Sequence, residues 1–558
     1  MAPLEKAKEK SGSPAAPNQQ WKKVPRNHLR RVPAINRLKG GLLFLCLLAP
    51  SIWMVATIPP LWRDADAYVQ LTQDPRVSTF WGHAPAYCYL AKIPLFIGEQ
   101  WERIGGQPSI PRIIDSQPAL TDSGIWLLIA LQHLGLALSA FLFIAALTQL
   151  FWVRLALVVA WASNALVYTF AHCIGSETLG LILTVVLALK GLQLIETRSE
   201  PGWKDWYGFA VVLSLCFLSR DLNLGLVAVL PVAFLISFAQ NRVRRIPARN
   251  LQQLAIALAV GAACVGVAHS VPRSLARKTK LHPHSRIGFT FLWRLHFLSE
   301  LSPESRTSLL QKVSARTSSD SVRHLIALLE QMHVEQADLS NPGPFMERAI
   351  KFFDGPRRWE ALDHGLKEMA FTYLWPPSSE VLHAARTDFV VGLKMPPTLI
   401  SEYLFATTAY YFQHQAEMPA CANLATFRGE ANADKISRLP FEHGYFQFWK
   451  GLTYGKAFFV WLVALLAFLF AARQRPTEAG AISAFGIALT FSGLSLFGAT
   501  CVLHDFEPRF GLSLWALLFL SLFLFVGKTA DYLVLPHSSN NQRGAGESPP
   551  GSHCRPEP

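Results

Sequence analysis

The chain has few charged residues for its length. Of its 558 residues only 16% are Asp, Glu, Lys or Arg, whereas 51% are hydrophobic. Soluble domains usually carry about 25% charged residues, so this composition excludes an ordinary soluble protein and predicts an integral membrane protein. The net charge of +14 does not indicate nucleic-acid binding, because much of the basic excess flanks apolar segments, where it sets membrane orientation.

Cysteine patterns that hold zinc or carry out redox exchange are also missing. The eight cysteines are scattered, and neither a CxxC pair nor a zinc-ligand spacing occurs. The sequence has no internal repeat. The first apolar segment follows a long polar stretch and no small-residue cleavage site follows it, so we expect a retained anchor rather than a cleaved signal peptide.

Long apolar runs are the main feature that is present. About ten segments are long enough to cross a bilayer. They cover residues 40–58, 124–149, 153–171, 177–195, 206–219, 223–240, 252–270, 453–472, 481–502 and 511–534, the fifth being short. The predicted fold class is an all-α polytopic membrane protein with about ten transmembrane helices and a large, mostly helical extracytoplasmic insertion.

Basic residues predict the orientation of these segments. Lys22, Lys23, Arg30 and Arg31 precede the first span, and further basic clusters follow the fourth, sixth and eighth. If every apolar segment crosses the membrane, all of these clusters fall on one side. The positive-inside rule makes that side the cytoplasm.

This topology divides the chain into regions. We predict a disordered basic cytoplasmic tail (1–37), a transmembrane core (38–270) whose first outer loop is 59–123, an extracytoplasmic helical domain (271–452), C-terminal transmembrane helices (453–535) and a disordered tail (536–558). Within the insertion, residues 397–413 are apolar and aromatic. We expect that segment to lie on the membrane or to fill a groove.

Charged and polar side chains concentrate in the short outer turns. They are Asp64, Asp66, His83 and Tyr87 in the first outer loop, Glu177 at the start of the fourth span, Arg220 after the fifth, and His504, Glu507 and Arg509 in the last turn. Singly, such residues are often helix caps, local ion pairs or snorkelling side chains. Because topology places them all at one membrane face, together they indicate chemistry at that face rather than transport, which more often uses ionisable groups near the midplane.

These outer motifs resemble those of the GT-C integral-membrane glycosyltransferases, most closely the protein O-mannosyltransferase and aminoarabinose-transferase branches. The matching stretches are Asp64-Ala65-Asp66, Gly82-His83-Ala84-Pro85-Ala86-Tyr87, Ser176-Glu177, Arg220 and Glu507-Pro508-Arg509-Phe510. The resemblance covers residues 40–270 and 450–535 but not 271–452, and Phe510 stands where the family usually has Tyr. It implies a GT-C-like core in a bacterial inner membrane, with the active site extracytoplasmic.

The resemblance also implies a reaction, namely inverting transfer of a sugar from a polyprenyl-phosphate donor. The acceptor would be a glycan, a lipid or a protein. Asp64 or Asp66 would be the general base, and the sequence leaves open which. Arg509 and Arg220 would bind the donor phosphate through their guanidinium groups.

Further roles implied by the resemblance concern substrate and metal. Substrate contacts would come from His83, Tyr87, Glu177, His504 and Glu507. Whichever of Asp64 and Asp66 is not the base would orient the acceptor or hold Mg²⁺ or Mn²⁺, which prefer hard oxygen ligands, although members of the family do not all need a metal.

Other functions fit the same composition. A transporter or flippase of lipid-linked sugars would place charged residues inside its spans, yet these are nearly free of them apart from histidines such as His133. A non-catalytic membrane assembly subunit could dock partners through 271–452. A transferase for phosphoethanolamine or acyl groups would need a Ser or Thr nucleophile near metal ligands, and none stands out.

Overall fold

The computed structural model describes residues 37–63, 71, 85–105, 119–196, 201–241, 248–278, 286–335, 342–355, 357–417, 424–428, 433–474, 476–504 and 511–534. The predicted tails fall outside these residues, except for Arg37 at the end of the first tail. Within the described residues the fold is almost entirely α-helical, as predicted, with one pair of two-residue strands.

The first part of the chain forms the helices of the membrane core. They are α1 (Arg37–Thr57), α2 (Pro85–Ile104), α3 (Asp122–Leu147), α4 (Phe151–Ala162), α5 (Ala165–Ala171), α6 (Ser176–Glu196), α7 (Trp203–Ser219), α8 (Val229–Asn241) and α9 (Ala248–Lys278). A 3₁₀ helix, Asp221–Ala228, joins α7 to α8. Strands β1 (Leu61–Trp62) and β2 (Cys173–Ile174) pair in parallel.

The insertion and the last part of the chain are also helical. The insertion contains α10 (Arg286–Arg294), α11 (Phe297–Glu300), α12 (Pro303–Arg316), α13 (Asp320–Val334), α14 (Gly343–Ala349), α15 (Arg358–Leu374), α16 (Ser379–Lys394), α17 (Thr398–Gln413), α18 (Ala425–Arg428), α19 (Ala433–Glu442) and α20 (Gly444–Gln447). Helices α21 (Tyr454–Ala471), α22 (Pro476–Leu503) and α23 (Gly511–Val534) follow.

Eight described helical segments are long and apolar enough to cross a membrane, or up to nine if the bent pair α4 and α5 forms one span. That pair bends by 63°. Helix α7 occupies the predicted fifth span but has only 17 residues, fewer than the roughly 20 that usually cross a bilayer. The structure therefore supports a polytopic α-helical membrane protein, while the number of ten crossings stays a prediction.

The ends of α3, α6 and α23 meet at one end of the helix bundle. Lys528 Nζ lies 2.5 Å from Glu196 Oε1, and Thr148 Oγ1 donates to Asp531 Oδ1 at 2.6 Å. Buried Arg154 donates to the carbonyl of Thr148. The three helices thus run in the same direction, as the predicted alternation requires. Which face is cytoplasmic stays a prediction.

The insertion has a hydrophobic core of its own, with Phe291, Leu325 and Leu366 fully buried. The insertion contacts the membrane helices, where α10 and α16 pack against α22. At that junction the rings of Phe389 and Phe497 lie 5.5 Å apart. The predicted apolar segment 397–413 corresponds to α17, which packs against α5 and β1.

Candidate functional site

The start of the first outer loop is fixed against the start of α6. Leu61 pairs with Cys173, and Trp62 pairs with Ile174. The backbone N–H of Leu61 also donates to the His172 carbonyl at 3.0 Å. On the other side of β1, the Thr408 hydroxyl of α17 accepts the Trp62 N–H at 2.9 Å. Arg63, the residue that follows β1, is therefore held beside the first turn of α6.

Two guanidinium groups converge on one carboxylate in this place. Arg63 Nη1 donates to Glu177 Oε1 at 2.7 Å, and Arg220 Nη2 lies 3.9 Å from the same oxygen. All three side chains are buried, with relative exposures of 8%, 3% and 9% for Arg63, Glu177 and Arg220. Glu177 lies in the first turn of α6, where the helix dipole also stabilises a negative charge.

Tyr87 braces the turn that leads into α6. The backbone N–H of Gly175 donates to Tyr87 Oη at 3.1 Å, and Tyr87 Oη lies 3.5 Å from Gln132 Oε1. A Cβ atom on Gly175 would lie only 2.6 Å from Glu177 Oε2, so this close approach requires glycine. Burial raises the pKa of Tyr87, so the hydroxyl stays protonated and binds as a neutral group.

Two buried histidines extend the same network. His133 Nε2 lies 3.1 Å from His172 Nδ1, and His172 Nε2 lies 2.9 Å from the Ile58 carbonyl. Burial lowers the pKa of His172 to about 4, so its ring is neutral at neutral pH. With Nε2 protonated it donates to the Ile58 carbonyl, and Nδ1 can then accept a hydrogen bond from His133 Nε2–H. The pair links α3 to the residues that precede β1.

A small cavity with room for about one water molecule (about 10 Å³), within about 240 Å³ of space that opens partly to the surroundings, adjoins the ion cluster. It lies between α6, the 3₁₀ helix and α23, and its polar lining comprises Glu177, Arg220, Asn223, Thr184 and Ser513. Its apolar lining comprises Leu181, Leu512 and Ala516, together with Gly180. The lining therefore combines one ion pair and three hydrogen-bonding side chains with hydrocarbon.

The structure brings three of the predicted site residues together. Glu177 and Arg220 form one cluster, and Tyr87 binds the turn two residues before Glu177. Glu177 contacts the two arginines, which is a positioning role. His504 lies under the insertion, where its ring stacks on Trp293 with centroids 5.7 Å apart.

The other predicted site residues lie outside the described residues. They are Asp64, Asp66, His83, Glu507 and Arg509. The described residues contain no group of three His, Cys, Asp or Glu side chains that could hold a metal ion. A Mg²⁺ or Mn²⁺ site at Asp64 and Asp66 therefore stays a prediction.

Sequence reasoning misses Arg63, although it directly precedes Asp64. A buried arginine at the edge of an apolar segment requires a counter-charge, and this signal could have found it. The pairing itself joins residues 114 positions apart, which one sequence does not reveal. The cavity residues Asn223, Thr184 and Ser513 carry no signal, because such residues are common in apolar helices.

The comparisons with known proteins do not identify the chain. It matches no protein-family model and no curated protein. The function is therefore inferred from the site.

Proposed function

We propose that the protein is a membrane glycosyltransferase that moves a sugar from a polyprenyl-phosphate donor to an acceptor. The observation that supports it is the buried cluster of Arg63, Glu177 and Arg220, two cations to one anion, beside a cavity that has both polar and apolar lining residues. A polyprenyl phosphate has the matching chemistry, since its phosphate is anionic and its tail is hydrocarbon.

Of the two arginines in the cluster, Arg220 is the one that lines the cavity, together with Glu177. Its guanidinium group can donate two parallel hydrogen bonds to phosphate oxygens. Glu177 accepts from Arg63 and lies beside Arg220, so it fixes where both cations point. Because negative charge grows on the phosphate as the sugar leaves, a fixed guanidinium stabilises the transition state more than the ground state.

The proposed step conserves atoms and charge. An acceptor hydroxyl or amine attacks the anomeric carbon, and a bond to oxygen or nitrogen forms there with inversion. The bond from that carbon to the phosphate oxygen breaks, and its electron pair leaves with the polyprenyl phosphate. The acceptor proton passes to a carboxylate, for which Asp64 and Asp66 remain the candidates because they follow Arg63 within three residues in the sequence.

A transporter of lipid-linked sugars is the main rival. Such a protein would carry ionisable groups near the middle of its spans. In the described part of the chain, Glu177 and Arg220 gather at one end of the bundle and Glu196, Lys528 and Asp531 at the other. This separation favours chemistry at one face.

The proposal is tested with purified protein in liposomes that contain polyprenyl-phosphate hexoses and pentoses, with membrane extract as the source of acceptor. Release of polyprenyl phosphate is measured. We expect the wild type to release it and Arg220→Gln to do so about a hundredfold more slowly, the usual cost of losing one transition-state donor. Asp64→Asn or Asp66→Asn should abolish release.

Arg323→Gln is the matched control, because Arg323 is half-exposed on α13 of the insertion and pairs only locally with Asp320. It should retain full activity. Movement of intact donor across the bilayer without release of polyprenyl phosphate would contradict the proposal and favour the transporter. Full activity of both aspartate variants would remove the proposed base.

A further inference from the structure

Helix α2 carries an exposed face that is entirely apolar or aromatic. Its exposed side chains between residues 85 and 101 are Tyr89, Leu90, Ile93, Phe96, Ile97 and Trp101. With successive residues 100° apart, these positions share one stripe about 140° wide. The first exposed charged residue is Arg103. Helices that border water present charged residues on that face instead.

The opposite face of α2 packs on α3, and the two helices run antiparallel. Tyr87 lies beside Gln132, whereas Glu102 accepts the Ser123 N–H at 2.9 Å. Between them, a Cβ atom on Gly98 would meet the backbone of Gly124. The Tyr87 end of α2 therefore lies farther along α3 than its Glu102 end does.

Apart from half-buried Lys92, whose Nζ donates to the Leu71 carbonyl at 2.9 Å, the charges of this helix pair that have a described partner gather at one end. Glu99 pairs with Arg103 at 2.8 Å, and Glu102 binds the first turn of α3. Asp122 accepts the backbone N–H groups of Ala425 and Thr426 in the insertion. This polar end contacts the insertion, and the apolar stripe leads away from it toward the Glu177 cluster.

The apolar stripe continues a surface that already belongs to the membrane core. Helix α2 packs against both α3 and α7. Leu131, Leu134 and Leu138 of α3 are half-exposed in a segment long and apolar enough to cross a bilayer. Lipid acyl chains that cover these leucines would also cover the neighbouring stripe on α2, since no exposed charge interrupts it.

We propose that α2 is embedded in the lipid leaflet on the side of the Glu177 cluster, although it is not one of the candidate spans. The partner of its exposed face is the acyl chains of that leaflet. Trp101 and Arg103 lie at the level of the headgroups, where aromatic and long basic side chains are favoured. Leu90 and Ile93 lie deeper. A stretch that the sequence assigns to an outer loop thus enters the bilayer.

This placement of α2 determines how deep the site lies in the membrane. Tyr87, at the deep end of α2, binds Gly175 directly before α6. A lipid-embedded helix therefore walls one side of the turn that carries Glu177. This inference does not depend on the reaction that the site performs.

The test places a genetically encoded nitroxide amino acid at one position at a time in the full chain, so that the native cysteines are left unchanged. The positions are Leu90, Ile93, Ile97 and Trp101. In liposomes, collision with oxygen reports lipid and collision with a water-soluble nickel chelate reports water. Val334, exposed in the insertion, is the water control, and Leu466, exposed on the span α21, is the lipid control.

We expect the ratio of oxygen to nickel accessibility at Leu90 and Ile93 to match that at Leu466, and to fall from Leu90 toward Trp101. A ratio at Leu90 and Ile93 equal to that at Val334 would place the face in water and overturn the proposal. Low accessibility to both reagents would mean that protein covers the face, and it would overturn the proposal equally.

Discussion

Glu177 is shared by two arginines that come from distant parts of the chain, one after β1 and one after α7. Buried ions are costly to leave without a partner, and removal of one member of a buried pair typically costs about 3–5 kcal/mol. A carboxylate in the first turn of a helix has the additional support of the helix dipole. The side chain therefore holds together the β1 loop, α6 and the end of α7.

We predict that Glu177→Gln lowers the thermal midpoint of the detergent-solubilised protein strongly, since both guanidinium groups lose their shared anion. Glu335→Gln is the control, because Glu335 is an exposed partner of Arg348 and surface pairs contribute little. Thermal unfolding of both variants checks this. Equal, small shifts would contradict the shared role of Glu177.

The side chain of Glu402 on α17 allows a test of how the stability of the protein depends on pH. Burial raises the pKa of Glu402, and Lys450, whose Nζ lies 3.5 Å away, offsets the shift only in part. A raised pKa means that the folded protein retains a proton that the unfolded chain releases. Stability contributed by this group is therefore present below the ordinary glutamate pKa and is lost as the pH rises through the raised value.

We predict that Glu402→Gln is as stable as the wild type at low pH and more stable at neutral pH. Thermal midpoints between about pH 4 and pH 7.5 span the window on both sides of an ordinary glutamate pKa. If the variant were less stable at neutral pH, the Lys450 ion pair would outweigh the cost of burial. The direction of the pKa shift argues against that outcome.

At this scale the sequence predicted Glu177, Arg220 and Tyr87 as site residues, and the structure places them together. It did not predict Arg63, because the partner of a buried arginine depends on tertiary contact. It assigned His504 to substrate; the structure places its ring against Trp293, and the substrate role stays a prediction. Local motifs identify candidate functional residues, but which side chains pair with each other depends on which helices pack together.

Among the helices, α2 and α3 make an unusually close crossing. A Cβ atom on Gly98 would meet the backbone of Gly124, and one on Gly124 would lie 3.1 Å from Leu95 Cα. Small residues allow two helix backbones to approach closely in membrane proteins. The position of Tyr87 follows from this crossing.

We predict that Gly98→Leu pushes α2 away from α3 and lowers the thermal midpoint. It should also slow the proposed release of polyprenyl phosphate, because the Tyr87 contact to Gly175 is lost. Gly208→Ala on α7 is the control, since a Cβ atom there has no neighbour within 4 Å. That substitution should leave activity unchanged and stabilise the helix by up to about 1 kcal/mol. Equal changes in thermal midpoint and in activity for the two variants would argue against the close crossing of α2 and α3.

Helices are the level that sequence reasoning predicted best. Nearly continuous apolar runs predicted helices α1, α3, α6, α9 and α21 to α23. Most of the ends of these helices were predicted to within a few residues. The bend between α4 and α5 was not predicted, because both helices are apolar and only their packing separates them. The apolar face of α2 was also overlooked, since its Lys92, Glu99 and Glu102 make the stretch resemble a soluble loop.

The described part of the helix bundle has a polar layer at each of its two ends. Arg63, Glu177 and Arg220 form the first, and Glu196 and Lys528 belong to the second. Apolar side chains of α6 and α23 fill the space between them. The predicted arrangement puts the first layer, and the insertion next to it, outside the cytoplasm.

We predict that reporters inserted after Gln149 and after Glu335 lie on opposite sides of the membrane. Gln149 is exposed in the turn between α3 and α4, and Glu335 ends α13 of the insertion. A phosphatase reporter should be active only after Glu335, and a cytoplasmic fluorescent reporter only after Gln149. Activity of the same reporter type at both positions would place both positions on one side of the membrane and contradict the alternation of spans.

The proposed function requires that the cavity beside Arg220 holds the phosphate of a lipid-linked donor. The most direct measurement uses a polyprenyl phosphate with a diazirine next to its phosphate, irradiated with the protein in membranes and mapped by mass spectrometry. We predict adducts on cavity residues such as Leu181 and Leu512, and their loss in Arg220→Gln. Adducts confined to lipid-facing residues of α21 such as Phe459, unchanged in Arg220→Gln, would contradict the claim.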